Sequence, residues 1–181
     1  MDVDGNKTAY ASDDNRAIYA SQSASYIEID HVTAKNSYNG ISLSGMTGAS
    51  ILNCIVQTTS ARGVYIFGAS GILMDGNLIS GNGGTGINVE RTEDIRILNG
   101  TISSTVDYGI SIDAESKRGM ISGNTCDQPQ DNQSVMIHGS AFVVTGNVVG
   151  SISLGSGSKS NIVAHNILTS EDVSDTGTDN T

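Results

Sequence analysis

Four dipeptides, Gly40-Ile41, Gly63-Val64, Gly86-Ile87 and Gly109-Ile110, stand at constant steps of 23 residues along the chain. Each opens a short alternation, GISL, GVYI, GINV and GISI, in which every second residue is apolar. Period two is the mark of a strand with one buried face. One step back the same place holds Ala17-Ile18, and forward it loosens to Ser134-Val135 and Ser151-Ile152. A second motif falls between these strands: ILNCIV (51–56), MDGNLI (74–79), ILNGTI (97–102), ISGNTC (121–126), VTGNVV (144–149) and AHNIL (164–168). In each, an apolar residue leads through a Gly/Asn turn into another short strand, and no segment carries helical spacing over ten or more residues. A fixed period between about 20 and 50 residues signals stacked repeats, because one unit cannot bury its apolar face alone.

Composition agrees with a thin, ladder-like core. Apolar residues make up 37% of the 181, aromatics only 4%, with no Trp, a single Pro and 22 Gly. Ile, Val and Leu must therefore fill the interior, and Gly, Asn, Ser and Thr supply the turns. The leucine-rich consensus is missing, and so is the six-residue beat of hexapeptide helices. The units read much like GIxVxxxxxxxIxxNxI and resemble the parallel β-helix repeat of the pectate-lyase-like superfamily over about residues 15 to 168. The resemblance implies an all-β fold, a single-stranded right-handed parallel β-helix of about seven coils. The expected division is a polar N-terminal segment over 1–16, the β-helix over 17–168, and a flexible or partner-dependent tail over 169–181.

The net charge of −10 disfavours nucleic acid and anionic lipid as partners. No apolar run approaches the roughly 20 residues of a spanning helix. Cys54 and Cys126 fall about three coils apart, roughly 14 Å at ~4.8 Å per rung, too far for a disulfide, and read as free, buried thiols. Near the N-terminus, Asp2, Asp4, Asn6 and Asp13 take four positions of a calcium-loop pattern, but Lys7 stands where that pattern wants Gly. No cofactor is required by any motif; Ca²⁺ is the one ion the pattern admits, and a polar loop is the alternative.

With the register set by the repeat, outward-facing positions align in columns. One column reads Ser21, Ser44, Phe67, Glu90, Asp113, His138, Gly155; its neighbour reads Tyr19, Ser42, Tyr65, Asn88, Ser111, Met136, Ser153. Glu90, Asp113 and His138 thus occupy three consecutive rungs and form the candidate catalytic set, with Arg91, Tyr65, Phe67 and Asn88 as candidate substrate contacts. Carboxylates one rung apart lie about 5 Å from each other. That proximity raises one pKa and suits an acid beside a base or nucleophile. Arg91 would neutralise a uronate, and Tyr65 and Phe67 offer flat faces to sugar rings. A solvated β-helix face also carries such charges by default. No catalytic pattern of pectate lyases or alginate epimerases is matched, so no residue role is carried across. Asn77, Asn124, Asn147 and Asn166 form a further column, with Cys54 and His31 expected in its earlier rungs, and read as a structural ladder at a tight bend.

The resemblance, the composition and the apparently uncapped start imply a polysaccharide partner. They also imply a homo-oligomer, expected as a trimer, at a virion surface or in the extracellular space, as in phage tailspikes. A secreted lyase or epimerase of uronic-acid polymers and a non-catalytic structural module are the alternatives.

Overall fold

The computed structural model describes residues 2–4 (backbone), 15–21, 26–127, 133–170 and 173–181. Among these every regular element is a strand, and all pairings are parallel, in three sheets of eight, eight and seven strands. The chain visits the sheets in rotation. Sheet I takes the Gly-Ile strands, including Asn39–Ser44, Val64–Phe67, Ile87–Glu90 and Ile110–Ile112. Sheet II follows with Thr47–Leu52, Ser70–Asp75, Glu93–Leu98 and Lys117–Ser122, and sheet III with Ile55–Gln57, Leu78–Asn82 and Thr101–Thr105. This is a parallel β-helix, and the seven strands of sheet II match the expected coil number.

The repeat is visible directly in the pairing. Ile87 lies between Val64 and Ile110, and Val89 between Ile66 and Ile112, all essentially fully buried. On sheet II, Ile72, Ile95, Ile97 and Ile121 continue the interior, and Phe142 covers Gly119 on the adjacent rung. The core is therefore a set of Ile/Val ladders along the axis, each rung closing the apolar surface that its neighbour leaves open. Cys54 and Cys126 are free and buried. Burial raises both thiols above the ordinary range, Cys126 to about 12, so neither is a ready nucleophile.

Left-handed backbone recurs once per coil at the turn between sheets II and III. His31, Asn53, Gly76, Asn99, Gly123, Gly146 and His165 all have φ between 51° and 68°. Only residue types that tolerate this conformation hold those places. The Asn ladder lies one residue further on. Asn77 Oδ1 accepts from the Cys54 N–H at 2.9 Å, Asn124 from Gly100 at 2.9 Å, Asn147 from Asn124 at 2.9 Å and Asn166 from Asn147 at 3.0 Å. Cys54 belongs to that column as expected, but His31 does not. Thr33 pairs with Ile55, which puts Val32 opposite Cys54 and moves His31 into the left-handed column beside Asn53.

Both ends depart from the expected boundaries. Asp2–Asp4 pairs with Thr33–Lys35, so part of the polar N-terminal segment extends sheet III. Asn6, Lys7 and Asp13 of the calcium-loop pattern lie outside the described residues. At the other end, Val173–Asp175 pairs with Ile152–Leu154, Thr178 bridges to Lys159, and the Thr181 N–H donates to Asn161 O at 2.8 Å. The tail shows no apolar alternation because its strand faces solvent, while its backbone still completes the hydrogen bonds of the last rung. Asn180 also caps a second ladder: its Oδ1 accepts from the Asn161 N–H at 2.9 Å, and Asn161 Oδ1 accepts from Phe142 at 2.8 Å.

Candidate functional site

Sheet I presents both predicted columns in the expected register. Tyr19 pairs with Ser42, Ser42 with Tyr65, Tyr65 with Asn88 and Asn88 with Ser111, and Phe67 stands beside Glu90. Ile112 opposite Val89, and Ile137 opposite Ile112, carry Asp113 and His138 into the next two rungs. The backbone thus places Glu90, Asp113 and His138 on three consecutive rungs. Their side chains have separate engagements.

Glu90 is held from its N-terminal side. Tyr65 Oη donates to one carboxylate oxygen at 2.9 Å and Asn88 Nδ2 to the other at 2.8 Å. Burial first, and then this hydrogen bond to Glu90, push the Tyr65 phenol up to about 12. An unfolded tyrosine titrates near 10, so above that pH the native state retains a proton the unfolded chain has shed. Stability that is fully present below pH 10 is therefore lost progressively as the pH rises toward 12. We expect alkaline titration at 295 nm to contain one late phenol that disappears in Tyr65→Phe. A titration curve unaltered by that substitution overturns the assignment.

Asp113 is occupied by its own turn. Its carboxylate accepts from the Arg91 N–H, with both oxygens at 3.1 Å, and from Ser116 through the N–H at 2.9 Å and Oγ at 2.6 Å. An aspartate that closes a turn of this kind is a local backbone cap. The His138 ring lies over Gly155 on the following rung, where a Cβ would overlap the imidazole. Arg91 has a left-handed φ of 52°, stacks over Phe67 at 5.3 Å and pairs through Nε with Glu115 at 2.7 Å. The structure therefore joins Tyr65, Asn88 and Glu90 through hydrogen bonds and Arg91 to Phe67 by stacking.

Two further residues, both arginines, enter that the columns alone did not single out. Arg16 stacks over Tyr19 at 4.4 Å and Arg62 over Tyr65 at 4.5 Å. Tyr65 and Phe67 are themselves tilted neighbours, with centroids 6.2 Å apart. The signal for the first two pairs was present as RAIY (16–19) and RGVY (62–65), two periods apart. Between them lies a cleft of about 220 Å³ lined by Arg16, Tyr19, Ser42, Ser44, Tyr65 and Phe67. Ser42 forms part of its floor and is only 2% exposed, and its hydroxyl makes no hydrogen bond among the described residues. A buried hydroxyl without a partner is costly in a finished core.

A three-sheet parallel solenoid with an aromatic and arginine-lined outer face defines a class of extended, ribbed proteins. The chain belongs to the right-handed β-helix family, whose pattern matches residues 3–172. Its fold is also that of the periplasmic alginate epimerase AlgG, at 15% identity and a TM-score of 0.60, covering 91% of this chain and 42% of the enzyme. A double mutant of AlgG gives 16% identity and a TM-score of 0.55, covering 92% of this chain and 36% of that one. The chain thus spans less than half the length of these solved relatives. No curated protein matches it by sequence.

Proposed function

We propose that this β-helix is a polysaccharide-directed module that binds glycan on the outer face of sheet I. The observation that carries the reading is the pair of Arg–Tyr stacks flanking the cleft over Ser42. Tyrosine offers a broad apolar face with a polar tip, the combination that fits a sugar ring with its hydroxyls. Stacking holds a guanidinium flat on the ring and by itself engages none of its five N–H donors. In a chain of net charge −10, Arg16 and Arg62, each stacked on a tyrosine beside the cleft, are the cations that an acidic glycan would meet there. The likeness to AlgG, an alginate epimerase, supports a polysaccharide partner and an extracytoplasmic setting.

Affinity electrophoresis through gels containing alginate, polygalacturonate or a neutral glucan tests the reading. We expect retardation in at least one polysaccharide, and binding about tenfold weaker in Tyr65→Ala, the loss of one stacking face. Unchanged mobility in every gel, or full retardation of Tyr65→Ala, overturns it.

A second reading, a modifying enzyme, is favoured by the Tyr65–Glu90 hydrogen bond. It joins a protonated phenol to a carboxylate beside the cleft. On that reading Glu90→Gln abolishes turnover of the bound polymer while binding persists. Asp113→Asn acts chiefly by loosening the Asp113–Ser116 turn and its bond to the Arg91 N–H. Incorporation into a trimeric surface fibre draws no support from these relatives; light scattering behind a sizing column separates a trimer from a monomer.

A further inference from the structure

The corner where sheet III turns into sheet I holds a second cavity, of about 350 Å³, larger than the cleft on sheet I. The Arg62–Tyr65 stack stands between the two, Tyr65 lining the cleft and Arg62 the corner. We propose that this corner cavity is a second sugar site, taking an uncharged sugar unit of a glycan whose other units lie on sheet I. The proposal rests on the binding reading above and adds both a site and a specificity to it.

Three features carry it. The first is shape. Tyr38 and Tyr108 line the cavity, and in the column from Tyr38 to Asp107 the two rungs between carry only Ala61 and Gly84. The Tyr38 and Asp107 rungs are three steps apart, about 14 Å at the usual strand spacing. At Gly84 a Cβ would stand 2.9 Å from the Ala61 carbonyl oxygen, so close rung packing itself keeps the floor bare. The second is size: the volume falls within the range of about 300–1,000 Å³ that small-molecule sites occupy. The third is chemistry. The lining holds one cation, Arg62, and one carboxylate, Asp107, with Thr85, Asn88 and Ser111 as neutral hydrogen-bonding groups. A uronate that gains Arg62 meets Asp107, and an amino sugar that gains Asp107 meets Arg62. Hydroxyls suit both, donating to the carboxylate and accepting from the guanidinium. Either tyrosine then offers an apolar face to the C–H side of the ring.

Arg62 belongs to both cavities through its stack, and so does Asn88, which lines the corner and donates to Glu90 on sheet I. A glycan filling both sites crosses the face obliquely, over the Arg62–Tyr65 stack, and does not follow one column along the axis.

Amide-resolved NMR titration of the ¹⁵N-labelled 181-residue chain tests this. The probes are maltotriose, cellotriose and mannotriose, with a mannuronate trisaccharide as the acidic counterpart. We expect at least one neutral probe to shift the Gly84, Thr85 and Tyr108 amides. Binding there should be about tenfold weaker in Tyr108→Ala, retained in Tyr108→Phe, and unchanged in Arg96→Ala on the outer face of sheet II. Absence of corner shifts with every neutral probe overturns the proposal, as do corner shifts produced by the mannuronate probe alone. Corner shifts with a neutral probe, without changes at Ser42 and Ser44 under any probe including the mannuronate trisaccharide, support the corner site and overturn the sheet I reading by itself.

Discussion

Asn147→Ala is expected to lower stability by about 4 kcal/mol, because it leaves several buried polar groups unpartnered at once. Asn147 is 1% exposed and works in both directions along the stack. Its Oδ1 accepts from the Asn124 N–H at 2.9 Å and Asn124 Nδ2 at 3.0 Å, and its Nδ2 donates to Ile121 O at 2.9 Å and Thr145 O at 3.2 Å. Alanine removes these four contacts and the donation from Nδ2 to Asn166 Oδ1 at 2.9 Å, while the surrounding backbone stays dry. Each orphaned buried group costs on the order of 1–3 kcal/mol; the Asn124 N–H is stranded, and the Ile121 and Thr145 carbonyls each lose a donor. Against a usual total of about 5–15 kcal/mol, a loss of this size is severe. Urea denaturation should show the midpoint falling by on the order of 1–2 M with an unchanged slope. Hydrogen exchange should quicken first at the Asn124 amide, since stability in a stacked solenoid is largely nearest-neighbour. A midpoint within about 0.3 M of wild type would show that the ladder contributes little.

Gly86→Ala should be nearly as damaging, for a steric reason. A Cβ at Gly86 would stand 2.7 Å from the Gly109 carbonyl oxygen, 2.7 Å from Ile102 Cγ2 and 3.1 Å from Thr105 Cγ2. That carbonyl cannot retreat, because it accepts the Ile87 N–H at 2.9 Å and sets the spacing to the next coil. Overpacking against backbone costs about 3 kcal/mol. Gly68→Ala is the informative comparison. It has open space around the Cβ position but a φ of +60°, so it should lose only about 1 kcal/mol through left-handed backbone. The order of the two midpoints is the test: Gly86→Ala as stable as Gly68→Ala removes close rung approach as the reason for glycine at the head of each repeat.

The same contact explains why the dipeptide recurs. Gly40, Gly63, Gly86 and Gly109 each face the carbonyl of the residue that follows on the next coil, at 2.6–2.7 Å from a hypothetical Cβ. The interval between them is the length of one coil, and while it holds, the outward columns of sheet I follow by counting. That is why Tyr65, Asn88 and Glu90 were legible as neighbours. Counting also placed Asp113 and His138 in adjacent rungs, although the step from Ile110 to Val135 is 25 residues and that from Val135 to Ile152 is 17. The alternation resumes after the longer loop and restores the register.

Side-chain direction was not legible, because a repeat constrains backbone register and leaves χ angles to local competition. Asp113 meets the Ser116 N–H within its own turn and the Arg91 N–H on the preceding coil, and these bonds outcompete any reach toward Glu90. Glu90 instead finds Tyr65 one rung back, a donor whose aim depends on the Arg62 stack. His31 was misplaced by a single residue, because an Asn-rich turn contains two adjacent columns, one left-handed and one laddered, and only the strand pairing separates them.

The sequence by itself determined the parallel stack, its period, the apolar ladders and the identity of the outer columns, since these follow from alternation and from the glycine that lets successive coils touch. The tertiary structure alone decided that the aperiodic tail joins the last rung, that Asp113 closes a turn, and that Arg62 and Tyr65 divide two cavities. Each of these depends on hydrogen bonds and ring contacts between residues on different coils, whose geometry exists only once the coils are stacked.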